Sequence, residues 1–158
     1  MNTFTIENNK PVTTPNAALA RGNTVSVTQP CLPAEERPKA LVVDDDPVML
    51  GLLERYLTRA GYQTLTALEA GQGVALAVQH VPAVIVMDVM MPELSGLAAL
   101  RLLRHTEATK DIPVIIISAN DQPEAKQESI AGGAAAFLVK PFGLGQVLNE
   151  VNKAVRKT

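Results

Sequence analysis

A chain of 158 residues has the length of one domain, enough to close a single hydrophobic core. Hydrophobic residues make up 47% of it and charged residues 19%, but aromatics only 3% with no tryptophan, so the core has to be built from Leu, Val, Ile and Ala. The formal charge of -2 lacks the basic footprint of a nucleic-acid binder, the one cysteine, Cys31, excludes an internal disulfide, and no Cys/His cluster offers a zinc site.

Residues 1–38 carry five prolines (Pro11, Pro15, Pro30, Pro33 and Pro38) and runs of Thr, Asn and Ala without a sustained period, which predicts a flexible N-terminal arm. Its charges cancel, with Glu7, Glu35 and Glu36 against Lys10, Arg21 and Arg37, so it is no basic nucleic-acid tail. The stretch 24–28 alternates like a short strand but has nothing nearby to pair with, and it is read with the arm. Met1 to Lys10 has neither the basic start nor the apolar stretch of a secretory signal, and no apolar run reaches the ~18 residues of a membrane span. The cytoplasm is therefore the expected compartment.

From Lys39 to Thr158 apolar runs alternate with amphipathic stretches. Strands are expected at 40–43, 63–67, 83–87, 113–117 and 135–139, and helices at 47–60, 69–79, 95–105, 123–131 and 144–156. The third and fourth strands are continuously apolar, the mark of strands covered on both faces of a parallel sheet. Leu144, Val147, Leu148, Val151 and Val155 recur at helical spacing in the last helix. Five βα repeats predict a doubly wound α/β fold with right-handed crossovers.

Ligands of such a sheet bind beyond the carboxyl ends of the strands, where strand order reverses. Strand one runs into Asp44, Asp45 and Asp46, strand three into Asp88, strand four into Ser118 and strand five into Lys140. With strand order 2-1-3-4-5 these residues share one pocket. Asp46 before Pro47 reads as a helix N-cap. Asp44 and Asp45 then lack a structural task, and close carboxylates call for a cation or an exposed rim, because two unit charges ~4 Å apart cost about 4 kcal/mol at an effective dielectric near 20. Oxygen donors suit Mg²⁺. Asp121 with Glu124, around Pro123, reads as the start of the fourth helix, which weakens a capping role for Ser118. His80 and His105 sit near helix ends as surface or dipole partners, and Met87, Met90 and Met91 read as packing. No GxxxxGK[ST] loop or GxSxG elbow occurs, which removes P-loop NTPases and α/β-hydrolases.

The segments LVVDDD (41–46), VIVMDVMMPELSG (84–96), VIIISAN (114–120) and FLVKPF (137–142) together resemble the receiver domain of bacterial two-component response regulators, over residues 39–158. That resemblance implies a flavodoxin-like strand order and an aspartate phosphorylated by a sensor histidine kinase or phosphotransfer protein. Position by position it implies Asp88 as phosphoacceptor, Asp45 as a direct Mg²⁺ ligand with Asp44 acting through water, and the main-chain carbonyl of Met90 as a further ligand, Mn²⁺ being an alternative ion. Ser118 matches the hydroxyl that bonds the phosphoryl group, Lys140 the lysine paired to it, Pro141 a cis proline and Phe137 the aromatic switch. Gly143 and Gly145 depart from the polar helix-starting residues common in the family, which bears on the rigidity of the last helix's first turn. Met90 and Asn120 match the two positions that border the path of hydrolytic water, and a methionine there predicts a persistent phosphorylated state.

Two rival readings exist. Asp44-x-Asp46-x-Val48 fits the opening of haloacid-dehalogenase-like phosphatases, but only Glu150 follows Lys140 as an acid and Asp88 would have no role. A receiver that binds without being phosphorylated would need a missing site residue, and none is missing. With the last helix ending near Thr158, the expected output is protein contact through helix four, strand five and helix five, by a monomer or a phosphorylation-dependent dimer, without direct binding to nucleic acid or membrane.

Overall fold

In the computed structural model, which describes residues 33–157, two of the three inner strands are uninterrupted rows of buried side chains. The segment 24–28 and most of the predicted arm lie outside the described residues. A 3-10 turn at Ala34–Glu36 leads into β1 (Lys39–Val43). There follow α1 (Pro47–Arg59), β2 (Gln63–Ala67), α2 (Ala70–His80), β3 (Val84–Asp88), α3 (Gly96–His105), β4 (Val114–Ser118), α4 (Pro123–Ala131), β5 (Ala136–Val139) and α5 (Leu144–Arg156). All four strand pairings are parallel, in the order β2-β1-β3-β4-β5.

The doubly apolar strands follow from side-chain alternation. Leu41, Val43, Ile85, Met87, Val114 and Ile116 point into one core with Ala70 and Ala77 of α2 and Leu100 and Leu103 of α3. Ala40, Val42, Val84, Val86, Ile115 and Ile117 point into the other, with Leu53 and Leu57 of α1 and Val147 and Val151 of α5. Each parity of the strand feeds a separate core, so neither can be polar. The edge strands β2 and β5 are only partly covered; β2 (QTLTA) is correspondingly polar at three of its five positions, whereas β5 (AFLV) stays apolar.

The expected elements are all present, with shifts of one residue at several ends. Asp88 and Ser118 are the last residues of β3 and β4 rather than the first of the loops, because the ladder runs on: the Val89 N–H donates to the Ile117 carbonyl at 2.9 Å. Glu69 and Ser95 lie outside their helices as N-caps, Ser95 Oγ accepting the Ala98 N–H at 3.3 Å. Asp46 caps α1 as expected, accepting from the Val48 N–H at 2.9 Å with Pro47 opening the helix. Asp121 does not start α4. The cap position is Gln122, whose N–H donates to Asn120 Oδ1 at 3.0 Å, so an Asx turn directs the chain into Pro123. The first turn of α5 is secured despite its glycines, since Gln146 Oε1 accepts the Gly143 N–H at 2.9 Å.

At the opposite end of the sheet from the strand carboxyl ends, Arg104 closes α3. Its guanidinium donates to the carbonyls of Lys110 (2.9 Å) and Ile112 (2.8 Å) ahead of β4 and twice to that of Gly133 (3.2 and 2.9 Å) ahead of β5. The helix α4 is the least embedded, with Ser129 its single fully buried side chain, bonded to the Ala125 carbonyl at 2.8 Å.

Candidate functional site

The carboxyl ends of β1, β3, β4 and β5 meet because the sheet puts β1 beside β3 and the strands share a register: Val43 faces Met87, Asp88 faces Ile117, and Ser118 faces Val139. Asp44 follows β1 directly and its N–H remains in the sheet, donating to the Ala67 carbonyl at 3.2 Å. Lys140 follows β5 directly, its N–H donating to the Ser118 carbonyl at 2.8 Å, with a cis peptide to Pro141. That backbone bond aims the lysine across the strand ends toward the two buried aspartates.

Lys140 Nζ lies 2.8 Å from Asp88 Oδ1 and 3.2 Å from Asp44 Oδ2. Asp44 is 2% exposed and Asp88 3%. The other oxygen of Asp44 accepts the Asp46 N–H at 2.9 Å. Ser118 is fully buried, and its Oγ accepts the Asn120 N–H at 3.0 Å, so its hydroxyl is oriented by the loop that leads to α4. Three of the residues singled out from the sequence, Asp44, Asp88 and Lys140, are thus in direct contact, and Ser118 is tied to Lys140 through the backbone. Asp45 stands exposed at the rim. Phe137 is half-buried on β5, one residue before the Ile117–Leu138 row, and packs on the core under α2 and α3. Met87 and Met91 are packing residues as expected, whereas Met90 is not: it is 65% exposed, because the loop after β3 turns its side chain outward. His80 and His105 are the last residues of α2 and α3, His105 Nδ1 lying 2.7 Å from the Arg101 carbonyl, and neither belongs to the site.

One ammonium between two buried carboxylates leaves a net negative charge. Burial raises the Asp44 carboxyl above its ordinary value, and the Asp46 N–H and Lys140 offset this only in part. Burial by itself would lower Lys140, but its hydrogen bond and charge interaction with Asp88, followed by those with Asp44, outweigh it and raise the ammonium. The two shifts pull opposite ways on one ion pair. The shorter contact is to Asp88, so Lys140 is paired more closely with it than with Asp44, whose burial works against its charged form. A carboxyl raised above 3.8 binds its proton more tightly folded than unfolded, so its contribution to stability declines as pH climbs from 3.8 through the raised value and stays low at neutral pH. Asp44→Asn, which keeps an oxygen for the Asp46 N–H, is therefore expected to stabilise the Mg²⁺-free protein by about 1 kcal/mol at pH 7. Urea unfolding measures it, and a loss of stability would show the Asp44–Lys140 contact to be a net gain.

Residues 40–152 match the family described as the response regulator receiver domain. The chain belongs to this family. This receiver domain is 37% identical over 121 residues to the DNA-binding dual master transcriptional regulator RpaA of Synechocystis, covering 77% of the chain and 50% of that protein. It is 40% identical over 114 residues to the protein PilH of Pseudomonas aeruginosa, covering 72% of the chain and 94% of PilH. The chain spans about half the length of several curated relatives, RpaA among them. In structure it is similar to a Francisella response regulator receiver domain (TM-score 0.72, 33% identity, 77% of the chain and 98% of that chain). It is also similar to the chemotaxis response regulator CheY4 of Vibrio cholerae (TM-score 0.70, 31% identity, 75% of the chain and 98% of that chain). The chain is therefore a response regulator receiver domain of two-component signalling. Among the described residues no helix is long and apolar enough to cross a membrane.

Among the described residues no three His, Cys, Asp or Glu side chains form a ready-made metal cluster. The donor chemistry nevertheless fits Mg²⁺, which takes few protein carboxylates and retains water. Asp44 and Asp45 are adjacent, Asp88 is one strand away, and Lys140 supplies the positive charge between Asp44 and Asp88. The sequence reading missed Arg104 and the Asn120 N–H. The first carries no motif, and the second is a backbone group that only the loop conformation aims at Ser118.

Proposed function

We propose that this receiver accepts a phosphoryl group on Asp88 from the phosphohistidine of a sensor kinase or phosphotransfer protein. The observation that carries the reading is the buried Asp88 at the carboxyl end of β3 with Lys140 Nζ 2.8 Å from its oxygen. A carboxylate oxygen forms the O–P bond as the P–N bond to the donor imidazole breaks, the imidazole keeping the electron pair. A carboxylate nucleophile needs no general base, so the site has only to position groups and neutralise phosphoryl oxygens. Lys140 neutralises one of them. Ser118, on turning from the Asn120 N–H, donates its hydroxyl to another. Asp44, Asp45, Asp88 and the Met90 carbonyl would hold Mg²⁺, or Mn²⁺ in its place, which when bound supplies further positive charge to the phosphoryl oxygens. In this reading the domain promotes both its own phosphorylation and its dephosphorylation, and it acts in the cytoplasm.

Acetyl phosphate with Mg²⁺ tests the assignment, the expected result being one phosphoryl group per chain, found by mass spectrometry on the peptide that holds Asp88. Modification at Asp44 would overturn it in favour of phosphatase-like chemistry, and no modification would leave a binding domain. For the ion, Asp45→Asn is expected to weaken Mg²⁺ at least tenfold and Asp46→Asn less than twofold, because Asp46 is occupied capping α1. An NMR titration decides this, and equal losses would remove the distinction.

Output through α4, β5 and α5 is supported by exposure. The strand β5 is an open edge ending in exposed Val139, and Ile130 of the thinly embedded α4 is 46% exposed. Phe137 on β5 would follow Ser118 as the site fills. Lifetime should depend on Met90, whose exposed thioether offers attacking water no useful hydrogen bond. Met90→Asn is expected to shorten the phosphorylated state severalfold with Mg²⁺ affinity nearly unchanged, followed as loss of label after donor removal. An unchanged decay would show that this side chain does not control the water.

A further inference from the structure

The helix α3 begins against the peptide that carries Asp88. The Gly96 N–H donates to the Val89 carbonyl at 3.0 Å, and the same carbonyl accepts the Met91 N–H at 3.1 Å. Gly96 is buried, and a Cβ placed on it would overlap the Asp88 carbonyl oxygen and stand 2.9 Å from the Asp88 carbonyl carbon and 3.0 Å from the Val89 Cα. Every one of those atoms is backbone, so no side-chain rotation relieves the overlap. On its other side the same peptide unit is held by β4, the Val89 N–H donating to the Ile117 carbonyl at 2.9 Å.

We propose that Gly96 is a positioning residue for Asp88: its missing side chain lets the first turn of α3 press on the 88–89 peptide, which is thereby clamped between α3 and β4. A clamped peptide plane sets the direction in which the Asp88 side chain leaves the strand. The shared Val89 carbonyl holds the intervening Met90, so the same contact sets the direction of the Met90 carbonyl. The proposal rests on Asp88 being the phosphoacceptor. A side chain at 96 would have to lift α3 or rotate the peptide, and either one moves both groups together. The cap on Ser95 belongs to the same device, since Ser95 Oγ holds the Ala98 N–H and keeps the turn seated.

The test compares Gly96→Ala with Leu103→Ala, a buried α3 substitution one helix length from the site that controls for lost stability, in the full chain and at a temperature where both are folded. Gly96→Ala is expected to bind Mg²⁺ at least tenfold more weakly than Leu103→Ala, to be phosphorylated by acetyl phosphate at least tenfold more slowly at saturating Mg²⁺, and to shift the amide resonances of residues 88–91. Equal Mg²⁺ affinity and equal rate in the two variants would overturn the proposal. Should Gly96→Ala not fold, the cap decides. Ser95→Ala is then expected to lose two- to fivefold in Mg²⁺ affinity and Ser95→Asp to recover it, while a wild-type affinity in Ser95→Ala would overturn the proposal. Failure of the acceptor assignment is seen separately, as a wild-type protein that gains no phosphoryl group on Asp88.

Discussion

Asp88→Asn is expected to gain no phosphoryl group from acetyl phosphate and Mg²⁺, a loss of at least about a thousandfold in rate, since an amide is a poor nucleophile at phosphorus. The substitution changes almost nothing in volume, and Asp88 is enclosed by strand and loop on every side but the site, so the fold should persist. Lys140 would keep only Asp44 as a charged partner, at 3.2 Å. Intact-mass spectrometry checks the result directly. A phosphoryl group found on Asp44 or Asp46 of the variant would move the nucleophile to the end of β1 and leave Lys140 as a simple ion-pair partner.

Arg104→Met is expected to cost about 3 kcal/mol of stability, the largest loss for any single exposed or half-buried residue here. The guanidinium serves three carbonyls with four hydrogen bonds of 3.2 Å or shorter, joining the end of α3 to the segments that enter β4 and β5. Without it the partly buried carbonyl of Ile112 loses its donor, and the loop between α4 and β5 loses its hydrogen bonds to α3; the nearby Arg101–Glu128 ion pair at 2.9 Å is exposed and worth little in water. Arg104→Lys should recover less than half, because a single ammonium cannot reproduce the planar fork across two loops. Urea unfolding of the three proteins measures both. A loss under about 1 kcal/mol for Arg104→Met would show that water takes over the carbonyls.

The fold was readable because β3 and β4 are apolar at both parities, and that pattern has one physical solution, a sheet covered by helices on both faces. The site was readable for a related reason. Asp88, Ser118 and Lys140 interrupt or end apolar strands, and a polar residue there has to be explained by function or by a partner. Where the reading failed, a backbone conformation decided. Asp121 has the composition of a cap, but the Asx turn at Asn120 gives the place to Gln122. Met90 has the composition of packing, yet the loop between Val89 and Gly96 turns it into solvent.

The sequence by itself determined the five βα units, the parallel sheet and the set of residues at its carboxyl edge, because periodicity and strand-ending polar residues are properties of the chain taken locally. The tertiary structure decided which of those residues touch. That Lys140 bonds Asp88 more closely than Asp44 depends on groups far apart in sequence, and that Ser118 is turned toward the Asn120 N–H and that Gly96 must lack a side chain depend on how the loops after β4 and β3 fold back. Such contacts are fixed by sheet order and loop path to a few tenths of an ångström, a precision that spacing along a chain does not contain.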